Sequence, residues 1–118
     1  MIVRLWRAKI APARMEEYRR FEREHYLPML RKQPGLLGAL FLRQAEDYAS
    51  SLTIWEDTGA MEALQSSPSY RETDHNLAES GLLAGDQSVE VLGVEGGDLR
   101  PEALVRTLDW MRNPSWRG

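Results

Sequence analysis

The sequence has 118 residues and a mass of 13.5 kDa, and its 42% hydrophobic and 28% charged residues are typical of one globular domain. It contains no cysteine, which excludes disulfide frameworks, thiolate nucleophiles, iron–sulfur clusters and cysteine-based zinc sites. Two histidines argue against an all-histidine metal site. Fifteen basic and eighteen acidic residues give a net charge of −3 with the signs interspersed, which argues against a nucleic-acid partner.

The sequence gives no indication of a membrane partner. Its longest apolar stretch, Leu36 to Leu42, is far shorter than the roughly 20 residues that a membrane-spanning helix needs. Arg4 and Arg7 interrupt the N-terminal segment where a signal peptide has an unbroken apolar core. We therefore expect a soluble, cytoplasmic protein.

The first predicted elements are a strand and an amphipathic helix. Residues 2–10 predict a strand that is apolar on both faces and ends before Pro12. A helical period begins at Ala13, and we expect a kink or restart at Pro28 before the Pro34-Gly35 turn ends the helix. Its apolar stripe should face the sheet and consists of Met15, Tyr18, Phe21 and His25.

The rest of the chain predicts three more strands and three more helices. Asp57 and Ser67-Pro68 have the residue types of helix N-termini. In chain order, the predicted elements are a strand over 36–44, a strand over 51–56, a helix over 58–65, a helix over 69–79, a strand over 88–95 and an amphipathic helix over 101–112. In the second strand, we expect Leu37, Ala39 and Phe41 to share one face and Leu40 and Leu42 the other.

This order predicts an α+β fold, a ferredoxin-like split βαβ arrangement with a four-stranded antiparallel sheet. Helices cover one face of such a sheet, yet the first two strands are apolar on both faces. A homodimer that packs two sheets face to face would bury the second face. The alternative is a monomer in which the helix over 101–112 covers it.

Several segments resemble the antibiotic biosynthesis monooxygenase domain, a dimeric α+β barrel. The resemblance runs from Ile2-Val3-Arg4-Leu5-Trp6-Arg7 through Leu27-Pro28 and Gln33-Pro34-Gly35. Its most specific part is Thr53-Ile54-Trp55-Glu56-Asp57 with Ala60, followed by Ser67-Pro68-Ser69-Tyr70. It covers residues 1–95, and residues 96–118 then form a C-terminal helical extension.

This resemblance implies a small planar apolar ligand held between the sheet and the helices. Some members of the family oxidise phenols or quinols with O₂ and no cofactor, others degrade haem or isomerise small ligands, and others have no known activity. The substrate-binding residues implied here are Trp6, Tyr18, Phe21, Trp55, Leu64, Asp74 and His75. The haem-degrading members carry Asn, Trp and His where this chain has Trp6, Leu64 and Asp74 beside His75, so we do not expect haem as the substrate.

His25 and Tyr70 are the predicted catalytic residues. An imidazole on the buried stripe can act as a base near neutral pH, although a core histidine bonded to a backbone carbonyl fits the same pattern. A tyrosine hydroxyl can bind a substrate oxygen, and a plain core aromatic fits equally well. The leading hypothesis is a cofactor-independent monooxygenase, and the alternatives are a non-catalytic binding protein or an isomerase on the same scaffold.

Overall fold

The computed structural model describes residues 1–100 and Glu102. This part of the chain forms a four-stranded antiparallel sheet with strand order β2-β3-β1-β4, whose helices pack on one face. The strands are β1 (Ile2–Ile10), β2 (Leu36–Ala45), β3 (Tyr48–Trp55) and β4 (Leu83–Gly93). The α-helices are α1 (Met15–Phe21), α2 (Leu27–Arg31), α3 (Thr58–Ala63) and α4 (Pro68–Glu79).

The strand order confirms the ferredoxin-like α+β arrangement. β1 lies between β3 and β4 and pairs antiparallel with both. Its even-numbered residues from Arg4 to Ile10 are buried toward the helices, because successive side chains of a strand alternate between faces. In β3 the residues opposite them are also buried, with Thr53 paired to Arg4 and Ser51 paired to Trp6.

A π-helical turn, Glu22–Tyr26, joins α1 to α2. The amide of Leu27 donates to the carbonyl of Glu22, five residues back, so the turn holds one residue more than an α-helical turn does. Pro28 lies in the first turn of α2, directly after the π-helical turn. The restart expected at Pro28 is confirmed, and the extra residue precedes it.

Both predicted helix caps are confirmed. The Asp57 side chain accepts from the amide of Ala60 at 2.8 Å and begins α3. Ser67 Oγ accepts from the amide of Tyr70 at 3.4 Å and begins α4 with Pro68 in its first turn. Residues Leu64–Ser66 form a short 3₁₀ turn that joins the two helices.

Three sequence-based strand details are wrong. β4 runs over Leu83–Gly93, not 88–95, because Leu83 pairs with Ile10 across a register shift that the glycine-rich sequence concealed. β3 begins at Tyr48, so the connection from β2 is the two-residue turn at 46–47. Leu37 is half exposed and does not share a face with Ala39 and Phe41, because the β2–β3 register shifts between Leu36 and Gly38.

The helix-facing core has two clusters. One lies under α1 and the end of α4, and the other lies under α2, α3 and the start of α4. Trp6, Ile10 and Tyr18 are in the first cluster, whereas Leu30 and Trp55 are in the second. Phe21 packs against both clusters and connects them.

The opposite face of the sheet, which we call the outer face, is apolar and open in the described part of the chain. Leu42 on β2 and Leu92 on β4 are 44% and 51% exposed. Half-buried neighbours on this face are Val3, Leu5, Leu40, Leu52 and Ile54. Apart from Glu102, the predicted helix over 101–112 lies outside the described residues. No helix among those described is long and apolar enough to cross a membrane.

Candidate functional site

The helix α1, the π-helical turn and α2 follow one another without a break, and we call them the first helical segment. Aromatic rings form a continuous row between this segment and the sheet. The ring centroids of Trp6 and Tyr18 are 6.4 Å apart and those of Tyr18 and Phe21 are 6.3 Å apart. Tyr26 follows, 6.4 Å from Phe21 and 5.8 Å from Phe41 in an edge-to-face arrangement. These distances lie in the range in which aromatic rings attract one another.

Buried polar groups lie among and beside these rings, in what we call the interior polar cluster. It combines charged and hydroxyl groups on the helix-facing side of the sheet with groups on the first helical segment. Its members are Arg4, Tyr18, Glu22, Tyr26, Ser51 and Thr53, all of them buried. Thr53 is satisfied locally, since its hydroxyl accepts from Trp55 Nε1 at 2.8 Å and donates to the carbonyl of Arg4 at 3.3 Å.

Two hydroxyl groups of the cluster are not satisfied. Tyr18 is 0% exposed and Ser51 is 2% exposed, and neither hydroxyl oxygen has a hydrogen-bond partner among the described residues. The Ser51 hydroxyl and the Glu22 carboxyl group lie close enough to affect the pKa of Tyr18. Neither of them forms a hydrogen bond with the Tyr18 hydroxyl. Buried polar groups in folded proteins almost always have partners, so this pair needs an explanation.

Glu22 is the acidic member of the interior polar cluster. It is 6% exposed, and burial raises the pKa of its carboxyl group to about 8 because a charged carboxylate is poorly solvated there. Arg19, Arg43 and Arg23 oppose this increase, as does a weak interaction with Tyr18, but burial dominates. Near neutral pH, Glu22 therefore holds a proton that it can release in the mildly alkaline range.

The two buried tyrosines are poor acids. Burial raises the pKa of Tyr26 to about 12, although the neighbouring Arg4 works in the opposite direction. Burial, together with the charge of Glu22, also raises the pKa of Tyr18 well above its usual value. Both phenols therefore stay protonated in the physiological range and can donate hydrogen bonds.

An open groove borders this region at the end of the sheet near the β2–β3 turn. Its volume is about 550 Å³, and its lining includes Met15, Glu16, Arg43 and Asp47. Met15 packs against the core cluster that contains Tyr18. The positive charge of Arg43 is near enough to Glu22 to lower its pKa, although burial has the larger and opposite effect. The residues that line the groove are thus neighbours of the interior polar cluster and not members of it.

Four of the sequence-predicted binding residues lie together at this site or beside it. Trp6, Tyr18 and Phe21 belong to the aromatic row. Trp55 is fully buried in the neighbouring core cluster, and its indole is tied to Thr53. Trp6 is also fixed, since its Nε1 donates to Gln87 Oε1 at 2.8 Å.

The orientation expected for His25 is wrong. His25 is exposed, with its ring centroid 5.6 Å from that of Phe21, and it does not point toward the sheet. The extra residue in the π-helical turn moves the inward direction from the fourth residue after Phe21 to the fifth, which is Tyr26. The base predicted for the buried stripe is therefore absent from that position.

The remaining predicted residues lie on or near α4. Tyr70 is half-buried against the second core cluster and close enough to Tyr26 to raise its pKa. Leu64 is buried in the same cluster. Asp74 was expected beside Tyr70 and Leu77 toward the core, but Asp74 and its neighbour His75 are both exposed, because the buried stripe of α4 runs through Tyr70, Thr73 and Leu77.

The sequence profile of the antibiotic biosynthesis monooxygenase family matches residues 1–75. The chain belongs to this family. The matched segment contains β1 through β3 and most of α4, and therefore every residue of the interior polar cluster. No curated protein matches the chain.

Solved structures of similar fold include members of the antibiotic biosynthesis monooxygenase family. The ActVA-Orf6 monooxygenase of Streptomyces coelicolor, in complex with nanaomycin D, is 18% identical with a TM-score of 0.72 over 84% of this chain and 91% of that chain. SnoaB, a cofactor-independent oxygenase from Streptomyces nogalater, is 16% identical with a TM-score of 0.66 over 81% and 94%. A protein of unknown function from Nitrosomonas europaea is 15% identical with a TM-score of 0.70 over 84% and 93%. At these identities, the likeness shows the fold.

Sequence reasoning missed Arg4, Glu22, Tyr26 and Ser51. Pro28 was the available signal for Glu22 and Tyr26, because an irregular turn before a proline changes which side chains face inward. For Ser51 the signal was a small polar residue at an inward position of β3, between Ala49 and Thr53. In the described ranges, no group of three or more acidic or histidine side chains is arranged to hold a metal ion.

Proposed function

We propose that this protein is a cofactor-independent monooxygenase that acts on a planar phenolic or quinol-type substrate. The substrate binds between the first helical segment and the helix-facing side of the sheet. The observation that carries this proposal is the pair of hydroxyl groups on Tyr18 and Ser51, which are buried without a partner among the described residues and lie at a continuous row of aromatic rings.

The two parts of the site match two parts of such a substrate. Aromatic faces and edges provide surface for a flat ring system, and hydroxyl groups at a fixed position provide partners for its oxygen substituent. Phe21 and Phe41 are half-buried near Tyr26, so the ring system reaches the site between the first helical segment and the edge strand β2. Tyr70 lies near Tyr26 and packs against the second core cluster, which supports a contact with the far end of a polycyclic ligand.

The substrate itself supplies the electrons in this reaction. A phenol with hydrogen on its para carbon loses the hydroxyl proton, and the anion reduces O₂ and joins it at that carbon. Loss of the carbon-bound hydrogen and cleavage of the O–O bond then give a quinone and one water, so that one oxygen atom of O₂ enters the product. The protein contributes desolvation, orientation and proton transfer.

The structural relatives support this choice among the activities that the family contains. One neighbour of the same fold is described as a cofactor-independent oxygenase, and another is a monooxygenase that binds nanaomycin D. In this chain the two positions at which haem-degrading members carry Trp and His hold a buried Leu64 and an exposed Asp74.

Oxygen uptake with 9-anthrone tests the proposal, because its enol is a planar phenol with a free para carbon. We expect uptake above the rate of the buffer, formation of anthraquinone with one atom from ¹⁸O₂, and no loss of rate after treatment with a chelator. Ligand-dependent thermal stabilisation without oxygen uptake across a set of anthrones and naphthols would contradict an oxygenase and support a binding protein instead.

We also propose that the protein is a homodimer in which two outer faces pack together. Leaving the leucines of this face in water forgoes about 25 cal/mol for each Å² of apolar surface. The face also carries Arg7, whose Nε is buried without a hydrogen-bond partner among the described residues. A second copy would cover the apolar surface and bring polar groups toward Arg7.

A further inference from the structure

The interior polar cluster contains a proton acceptor as well as two hydrogen-bond donors. Glu22 lies on the π-helical turn, one helical turn after Tyr18, and its carboxyl group influences the proton affinities of both Tyr18 and Tyr26. The Ser51 hydroxyl, on β3, is close to the same two tyrosines and opposes the increase in their pKa values. A ligand oxygen that satisfies the Tyr18 and Ser51 hydroxyls therefore lies next to Glu22.

We propose that Glu22 is the catalytic base that removes the proton from the hydroxyl group of the bound substrate, while Tyr18 and Ser51 donate hydrogen bonds to the oxyanion that forms. This assignment rests on the proposed oxygenase function. In the step, the substrate O–H bond breaks, the proton moves to a carboxylate oxygen of Glu22, and the electron pair stays on the substrate oxygen. The net charge of the site does not change.

The surroundings of Glu22 suit this role. Arg19 and Arg23 face it from its own helical segment and Arg43 from β2, while the nearby tyrosines are neutral. Burial nevertheless raises the pKa of Glu22 to about 8, which makes its carboxylate a stronger base than an exposed one. The proton affinity of Glu22 is thus brought closer to that of a phenol, whose ordinary pKa is about 10.

Other groups near the site do not fit the role of base. Both buried tyrosines hold their protons too tightly, because burial raises the pKa of each above its usual value. His25 is exposed and directed away from the two unpartnered hydroxyls. Among the acidic groups of the interior polar cluster, Glu22 alone can lose its proton in mildly alkaline solution and act as a buried base.

The test compares oxygen uptake with 9-anthrone by the wild type, Glu22→Gln and the control Glu24→Gln from pH 6 to pH 9. Glu24 is an exposed glutamate on the same π-helical turn. We expect the wild-type kcat to rise with pH through about 8, as Glu22 loses its proton. We expect Glu22→Gln to lower kcat about a hundredfold with KM within about threefold, and to remove that rise, because a positioned base contributes about 10²- to 10⁴-fold.

Two further variants separate catalysis from folding. Glu22→Asp keeps a carboxylate, so we expect partial activity with the same rise toward alkaline pH. Tyr18→Phe removes a hydroxyl that has no partner in the described protein, so we expect an unchanged Tm together with a kcat lower by roughly tenfold or more.

Each outcome decides between the two proposals. Wild-type kcat and pH dependence in Glu22→Gln, with the same quinone product, would overturn the role of Glu22 and leave the oxygenase function standing. An unchanged kcat in Tyr18→Phe would overturn the role of its hydroxyl. Absence of uptake by the wild type with every anthrone and naphthol would overturn the oxygenase function and this assignment together.

Discussion

Glu22 links the stability of this protein to pH at the scale of one residue. Burial raises the pKa of its carboxyl group to about 8 in the folded state, from an ordinary value of 4.5. Below pH 4.5 the group is protonated in both the folded and the unfolded state. As the pH rises from there through about 8, the folded state holds a proton that the unfolded state has lost, so stability falls across that interval.

We therefore predict that Glu22→Gln becomes increasingly more stable than the wild type between pH 5 and pH 9. The gain in the free energy of unfolding reaches at most about 5 kcal/mol, since one pKa unit corresponds to about 1.4 kcal/mol. Urea unfolding at several pH values measures it, and Glu24→Gln is the matched exposed control. A constant difference between Glu22→Gln and the wild type at every pH would contradict a buried, protonated Glu22.

Gly35 is required where α2 gives way to β2. Its φ is +81°, which favours glycine, and a Cβ atom there would lie 2.5 Å from the Cβ of Ala60. We predict that Gly35→Ala lowers the free energy of unfolding by about 2 kcal/mol or more through backbone strain and overpacking. Gly93→Ala is the control, because an added Cβ there meets no atom within 4 Å, and it should change the free energy of unfolding by less than about 0.5 kcal/mol. Thermal unfolding of both variants measures the difference.

Residue-level prediction from the sequence succeeded where the period was regular. Trp6 and Ile10 on β1, and Tyr18 and Phe21 on α1, face the core as their spacing requires. It failed for His25, because the spacing argument assumes 3.6 residues per turn and the π-helical turn departs from that value. The proximity of the Tyr18 and Ser51 hydroxyls depends on how β3 lies under α1, which no local pattern in either segment specifies.

At the scale of elements, the cap of α3 is a local feature that could be predicted from the sequence and is open to direct test. We predict that Asp57→Ala lowers the free energy of unfolding by about 1 kcal/mol, because the amide of Ala60 loses its acceptor. Asp57→Asn retains a side-chain oxygen and should lose only a few tenths of a kcal/mol. Equal losses for both variants in chemical unfolding would contradict a capping role.

The boundaries of β4 could not be predicted from local sequence patterns. Gly85 lies inside the strand, although glycine usually weakens strands and its position suggested a break. The strand forms there because Leu83 pairs with Ile10 across a register shift. Such pairing depends on a partner that is distant in the sequence, whereas the caps at Asp57 and Ser67 depend only on neighbouring residues.

At the scale of the whole molecule, the apolar outer face predicts association. We expect the wild type to sediment at twice 13.5 kDa and Leu42→Glu combined with Leu92→Glu to sediment at 13.5 kDa, because two buried carboxylates would oppose packing of the faces. Leu99→Glu is a control, since Leu99 is 60% exposed and lies beyond the end of β4. A wild-type species of 13.5 kDa at micromolar concentration would contradict the dimer.

The overall architecture was predictable because it follows from element order. One strand, one helix, two strands, a helical pair and one strand, joined by short connections, leave few ways to build an antiparallel sheet. The two-sided apolar character of β1 and β2 was also visible in the sequence and is confirmed in the arrangement of their faces.

The π-helical turn also affects how this chain is compared with its relatives. The residues before Glu22 and after Tyr26 keep their inward directions only because one additional residue is accommodated between them. A family member with a regular helix here would be one position shorter while the rest of its backbone superposes. Alignments that place gaps only in loops would then equate His25 of this chain with an inward residue of that relative, and the true counterpart would be Tyr26.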